Sequence, residues 1–169
     1  MEVHDIEGVA RKALREVREA VTGYRQPTLD EELADAREML EAAGISCETE
    51  RNVGVLPNDM DAVLAWAVRE GTTNVIRHSH ATHCQIRLIK DGEQIHAEIT
   101  DDGPSAPSEG NETYGSGLSG LAERVAANYG KFEAGSPPEG GFRLRVSLPL
   151  GTEPSTGPAS GVTRRDERP

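Results

Sequence analysis

Arg69-Glu70-Gly71-Thr72-Thr73-Asn74-Val75-Ile76-Arg77-His78 lies inside an apolar, helix-period segment that begins near Asn58. Glu70, Asn74 and His78 recur at i, i+4 and i+8, and Arg77 stands seven residues after Glu70. On one helix this spacing puts an acid, an amide, an imidazole and a guanidinium on a single face. An amide oxygen and a carboxylate can hold a hard cation such as Mg²⁺. A cation with an arginine beside it can hold a polyphosphate. The face reads as half of a nucleotide site.

The other half follows roughly 30 residues later, a gap suited to a pair of strands. Thr100-Asp101-Asp102-Gly103 ends a strand, and Gly115-Ser116-Gly117-Leu118 opens a helix. A carboxylate at a strand end can accept a hydrogen bond from a base amino group. Gly103 lets the backbone turn close to a flat ring. The Gly115/Gly117 pair lets a loop wrap oxygens, and the free N–H groups of the next helix favour an anion. Alone, Glu70 and Asn74 describe a solvated helix face, and either glycine segment describes a turn or loop. Their order along one chain raises all three together.

The 169 residues predict one domain with additions, large enough to bury a core without staples. Against 18 Lys and Arg stand 29 Asp and Glu, a net charge of −11 that argues against non-specific nucleic-acid binding. An acidic chain that binds an anionic nucleotide must supply positive charge locally, and Arg77, Mg²⁺ and a helix N-terminus would do so. Aromatic residues make up 4%, too few for a base-stacking platform. Cys47 and Cys84 fall in strand-like runs and read as reduced, buried thiols. No signal peptide and no apolar run of bilayer length is visible, so a cytoplasmic chain without a membrane segment is expected.

Val3 to Arg25 reads as an amphipathic helix with the stripe Ile6, Val9, Ala13, Val17, Ala20, Val21 and Tyr24. Pro27-Thr28-Leu29 opens a second helix, whose Leu29, Leu33, Ala36, Leu40 and Ala43 run to a Gly44 cap. Ile45 to Val53 reads as a strand. Pro57-Asn58-Asp59 caps the helix of Glu70 and Asn74. Cys84, Ile86 and Leu88, then Ile95, Ala97 and Ile99, alternate with polar residues around an Asp91-Gly92 turn. Pro104 to Tyr114 reads as a mobile lid. Leu118 to Tyr129 forms a helix with Leu118, Leu121, Val125 and Ala126 inward. Phe132 to Ala134 suggests a short strand, and Phe142 to Leu148 a final one. The order predicts an α+β two-layer sandwich, a mixed sheet covered by helices on one face. His78, His80 and His83 lie across a helix end without a flanking cysteine pair, so a polar helix terminus is the plainer account than zinc. His96 receives no role.

Glu70-x-x-x-Asn74 with Arg77-His78, then Asp101-x-Gly103, then Gly115-x-Gly117-Leu118 resemble the N, G1 and G2 boxes of histidine kinase catalytic domains, in the GHKL ATPase superfamily with its Bergerat fold. Arg69-Glu70-Gly71 through Arg77-His78-Ser79, and Gly117-Leu118-Ser119-Gly120-Leu121-Ala122-Glu123-Arg124, resemble the sensor kinases that pair with NarL-type response regulators. The likeness covers about residues 3 to 149. It implies ATP and Mg²⁺ as ligands, with Asn74 on Mg²⁺ and Glu70 polarising the attacking group as the catalytic residue. It implies that Asp101 reads the adenine amino group and that Arg77 and His78 lie near the phosphates. Gly103, Gly115, Gly117 and Leu118 would shape the base pocket and lid hinge.

Two departures qualify the likeness. Ser105 stands where the G1 pattern has a second glycine, which predicts an altered lid. Ala10 to Arg25 looks like the end of the second dimerisation-hairpin helix, without the first helix and its phosphoacceptor; His4-Asp5 only mimics that motif. The domain reading is therefore 1–26 hairpin remnant, 27–150 ATP-binding domain and 151–169 disordered tail. The function expected is transfer of the ATP γ-phosphoryl to a histidine supplied in trans. Its partners would be dimerisation-hairpin helices and a NarL-type response regulator. The rivals are an anti-sigma-factor type serine kinase and a non-catalytic ATP/ADP-binding module.

Overall fold

Alternating apolar and polar residues in three adjacent segments settle which side of the sheet is covered. The computed structural model describes residues 26–104, 115–138 and 140–151. The helix expected over Val3–Arg25, the His4 motif, Ser105 and nearly all of the expected lid, and the tail beyond Gly151 lie outside the described residues. Those described form α1 (Leu29–Ala42), β1 (Ser46–Asn52), α2 (Asn58–Asn74), β2 (His83–Asp91), β3 (Gln94–Asp101), α3 (Ser116–Ala127), β4 (Lys131–Gly135) and β5 (Arg143–Pro149). The strands make one sheet in the order β1-β2-β3-β5-β4, parallel between β1 and β2 and antiparallel elsewhere. None of the described helices is long and apolar enough to cross a membrane.

Cys84, Ile86 and Leu88 on β2, Ile95, Ala97 and Ile99 on β3, and Leu144, Val146 and Leu148 on β5 are all buried toward the helices. Cross-strand register stacks them in rows: Ile86 faces Ile99, which faces Leu144, and Leu88 faces Ala97, which faces Val146. The opposite face is polar, as strand alternation requires. There Glu50, Arg87, Glu98, Arg145 and Glu133 stand side by side across all five strands with alternating charge. Arg87 Nε donates to Glu50 Oε2 at 2.9 Å, and Glu98 lies 3.9 Å from both Arg87 and Arg145. His96 shares a 2.8 Å hydrogen bond with Ser147 on the same face.

Helix α2 packs on β3 and β5, α3 on β4 and β5, and α1 on α2 and β1. Thr28 caps α1, accepting from the Glu31 N–H, and Leu29 N donates to Asp61 Oδ2 at 2.9 Å. The α1 stripe is buried at Leu29, Ala36 and Leu40, but Ala43 is exposed and Glu32 is buried in its place. Arg69 of α2 explains this: it grips the Glu32 carboxylate with Nε and Nη2. On α3 only Leu121 and Val125 are buried, while Leu118 is half-buried and Ala126 exposed. The hairpin loop is Gly92-Glu93, one residue later than expected, because Asp91 still pairs with Gln94. Gly92 has φ +59, which the tight turn requires.

The largest departure follows Asn74. The helix does not run on as an α-helix through His78; Val75–Ser79 is a π turn, which ends at His80 with φ 49. Ser79 Oγ donates to Val75 O at 2.7 Å and accepts from Ala81 N at 3.2 Å, so its side chain stitches the wide turn together. Asp102 holds the far side. Its Oδ1 accepts from the N–H groups of Thr82 and His83 at 2.8 Å each, and its Oδ2 accepts from Thr82 Oγ1 at 2.7 Å.

These hydrogen bonds hold the Asp102 carboxyl down at about 2, from 3.8. A carboxylate with a depressed folded pKa stabilises fully above its unfolded pKa, and that contribution is lost as pH falls through the folded value. Asp102→Ala should therefore lower the melting temperature at pH 7, and the gap from the parent chain should narrow as pH is taken from 4 to 2. Melting curves at the two ends of that window check this; an unchanged gap at pH 2 refutes the electrostatic account.

Candidate functional site

Helix α2 packs on β3, and Gly71 lies against it. A Cβ built there would stand 3.0 to 3.2 Å from three side-chain atoms of Ile99. Glu70 and Asn74 flank this contact on α2, and Asp101 lies two residues beyond Ile99 on the same face of β3. Two of the segments singled out in the sequence thus lie on elements packed against each other, α2 and β3.

Asp101 is half-buried and divided in role. Its Oδ1 accepts from the Gly103 N–H at 2.7 Å, while its Oδ2 is buried without a partner among the described residues. Burial pushes its carboxyl above the usual range, opposed by the backbone of Gly103 and Phe142, with Asp102 adding to the rise. The free oxygen can accept an N–H from a bound molecule. Asn74 Nδ2 and Thr72 Oγ1 are the other buried side-chain atoms without a partner among the described residues. Thr72 is two residues from both Glu70 and Asn74, about 200° around an α-helix, so it lies on the opposite face.

Two further glycines stand in close approaches. Gly103 has no room for a side chain, since a Cβ would stand 2.0 Å from Ser79 O and 2.9 Å from Asp101 Oδ1. At Gly117, in the first turn of α3, a Cβ would stand 2.2 Å from Glu70 Oε2. The Glu70 carboxylate therefore lies directly against the start of α3, where the helix dipole favours negative charge. Gly115 is exposed at the α3 N-cap with open space around it, and Leu118 packs partly on the core.

Arg77 and His78 are both exposed on the π turn. The turn departs from the α-helical path on which their spacing was read. Among the described residues no hydrogen bond or ion pair joins them to Asp101, Gly103 or Gly117. Sequence reasoning missed the π turn, for which no periodic signal exists, and the structural tie made by Asp102. It also missed Gly141, which has φ +77 and whose Cβ would stand 2.0 Å from Asp101 O. The Gly140-Gly141 pair before the last strand was the available signal.

The donor set can be tested against Mg²⁺. Among the described residues no cluster of three His, Cys, Asp or Glu side chains forms a protein cage for a metal. One carboxamide oxygen at Asn74, with Glu70 one turn away, suits a Mg²⁺ ion that takes its remaining ligands from phosphates and water.

The sequence model of the family described as histidine kinase-, DNA gyrase B-, and HSP90-like ATPase matches residues 61–152. Among curated proteins, the chain is 35% identical over 127 residues to "Sensor histidine kinase YvfT" of Bacillus subtilis (strain 168), an alignment covering 74% of this chain and 34% of that protein. It is 29% identical over 153 residues to "Sensor histidine kinase DesK" of the same organism, covering 88% and 40%. The chain therefore spans between a third and two-fifths of the length of these relatives. Among solved structures, the Acinetobacter baumannii histidine kinase AdeS superposes with a TM-score of 0.65 at 16% identity, covering 89% of this chain and 82% of that one. That likeness concerns the fold. A family match over more than half of its length identifies the chain as a member of the histidine kinase-, DNA gyrase B-, and HSP90-like ATPase family.

Proposed function

We propose that this chain is the ATP-binding catalytic portion of a two-component sensor histidine kinase. The observation that carries the reading is the pair of unsatisfied atoms at the α2/β3 seam, Asp101 Oδ2 and Asn74 Nδ2. A buried acceptor without a partner costs stability unless a ligand satisfies it. An adenine amino group supplies the N–H that Asp101 lacks, and phosphate oxygens supply acceptors for the Asn74 amide.

Asn74 Oδ1 would hold Mg²⁺, which neutralises charge on the phosphates. Arg77 and His78, exposed on the π turn, reach the phosphates from the solvent side. Glu70 orients the acceptor imidazole and takes its proton. The histidine nitrogen forms the new bond to the γ-phosphorus as the bond to the bridging oxygen of ADP breaks. The acceptor histidine comes from dimerisation-hairpin helices supplied in trans, and a NarL-type response regulator then takes the phosphoryl group. The names of the curated relatives support this assignment, and so does the position of Glu70 against the α3 N-terminus.

Asn74→Ala should weaken ATP binding about tenfold or more in Mg²⁺, the loss expected for a contact to a charged group. Without Mg²⁺ the difference from the parent should shrink. Calorimetric titration with and without the ion checks this, and equal affinities in Mg²⁺ remove Asn74 from the site.

Asp101→Asn turns an amide N–H₂ or oxygen toward the base in place of a carboxylate. It should lower ATP affinity by about tenfold and erode selectivity over GTP. A variant that keeps the full preference for adenine contradicts the role.

Glu70→Gln should bind Mg-ATP within about threefold of the parent, equivalent to under 1 kcal/mol, yet lose phosphoryl transfer to an added hairpin protein. An acid-labile product from the parent identifies phosphohistidine. An acid-stable product points to a serine kinase, and binding with no transfer at all points to a non-catalytic module.

A further inference from the structure

Trp66 is the chain's one tryptophan, and it lies on α2 one turn before Glu70. The guanidinium carbons of Arg69 and Arg124 lie 4.9 and 4.7 Å from its ring centroid. Two cations on one ring repel each other unless one is neutralised. Arg69 is neutralised by the Glu32 carboxylate, which is only 5% exposed and receives both its Nε and Nη2. That leaves the ring's attraction for Arg124 uncancelled. The contacts therefore run without a break from α1 through α2 to α3: Glu32, Arg69, Trp66, Arg124.

Helix α3 needs such an anchor. It buries only Leu121 and Val125, and its first turn must hold Gly117 against Glu70, where there is no space for even a methyl group. Gly117 and Arg124 are seven residues apart, about 10 Å along the helix. Arg124 stands about 60° round the helix from Leu121, so its stack on Trp66 holds α3 beside its apolar seam and resists rolling of the helix about that seam.

We propose that the Trp66–Arg124 stack is a positioning clamp that holds the start of α3 against Glu70 and so sets nucleotide affinity from outside the pocket. Arg124 is a positioning residue; it acts through the helix and not by touching the nucleotide. The inference rests on the nucleotide reading above, but the clamp itself has a readout that needs no ligand.

The test uses the full chain and the variants Arg124→Ala, Arg124→Lys and Trp66→Leu. Without nucleotide, amide exchange at Ser119, whose N–H bonds Gly115 O at 3.1 Å, should quicken in Arg124→Ala and Trp66→Leu. Arg124→Lys, which keeps a cation over the ring, should restore most of the protection. With Mg-ATP, Arg124→Ala should bind about fivefold more weakly, the ratio for one exposed stack. The Trp66 emission change on nucleotide addition in the parent should be lost in the same variant. Exchange at Ser119 that is unchanged in both Arg124→Ala and Trp66→Leu overturns the clamp, as does a lysine variant no better than alanine. Should Arg124→Ala fail to fold, Trp66→Leu and Arg124→Lys decide the question by the same two readouts. A parent chain that binds no Mg-ATP overturns the nucleotide reading and leaves the exchange result to judge the clamp alone.

Discussion

Helix α2 comes close onto strand β3 at position 71, where a side chain would crowd Ile99. The gap to Ile99 leaves a built Cβ at 3.0 Å, tighter than ordinary contact. Close packing of this kind fixes depth as well as direction. It sets how far Glu70 and Asn74, on either side of Gly71, stand from Asp101 at the end of β3. A bulkier residue at 71 would press on Ile99. The rest of the site is built outward from this one contact.

Around that contact the protein spends polar groups in two different ways. Asp102 is fully engaged by Thr82 and His83, and it locks the return of the chain into β2. Its neighbour Asp101 keeps one oxygen free and buried. Adjacent aspartates with opposite pKa shifts, one lowered by hydrogen bonds and one raised by burial, put a fully engaged carboxylate beside one with an unpartnered oxygen. The same division appears in the helix layer. Glu32 is buried and satisfied by Arg69, whereas Glu70 is half-buried and turned to the start of α3.

The excess of negative charge bears on function through its placement. Much of it on the sheet's open face is matched locally, in the row from Glu50 to Glu133, where each charge has an opposite neighbour across the strand. The arginines are therefore not interchangeable. Arg87 and Arg145 serve that row, Arg69 serves Glu32, and Arg124 is committed to the indole of Trp66.

Much of this was legible in the chain itself. Strand alternation around Ile86, Ile99 and Leu144 fixed which face is buried, because a one-residue shift would turn every side chain outward. The Thr28 and Gly44 signals bounded α1, and the order of Glu70, Asn74, Asp101 and Gly117 carries the resemblance to the family that the chain belongs to. Other features depend on contacts between residues far apart in sequence. Helical periodicity could not foresee the π turn, whose far side is held by Asp102 on Thr82, 20 residues away. Arg77 and His78 sit exposed on that turn. The burial of Glu32 depends on an arginine 37 residues away, and the closeness of Gly141 to Asp101 on the pairing of β3 with β5. Local pattern determined the elements and their buried faces; only the packing of those elements decided which polar groups are satisfied and which are left to bind.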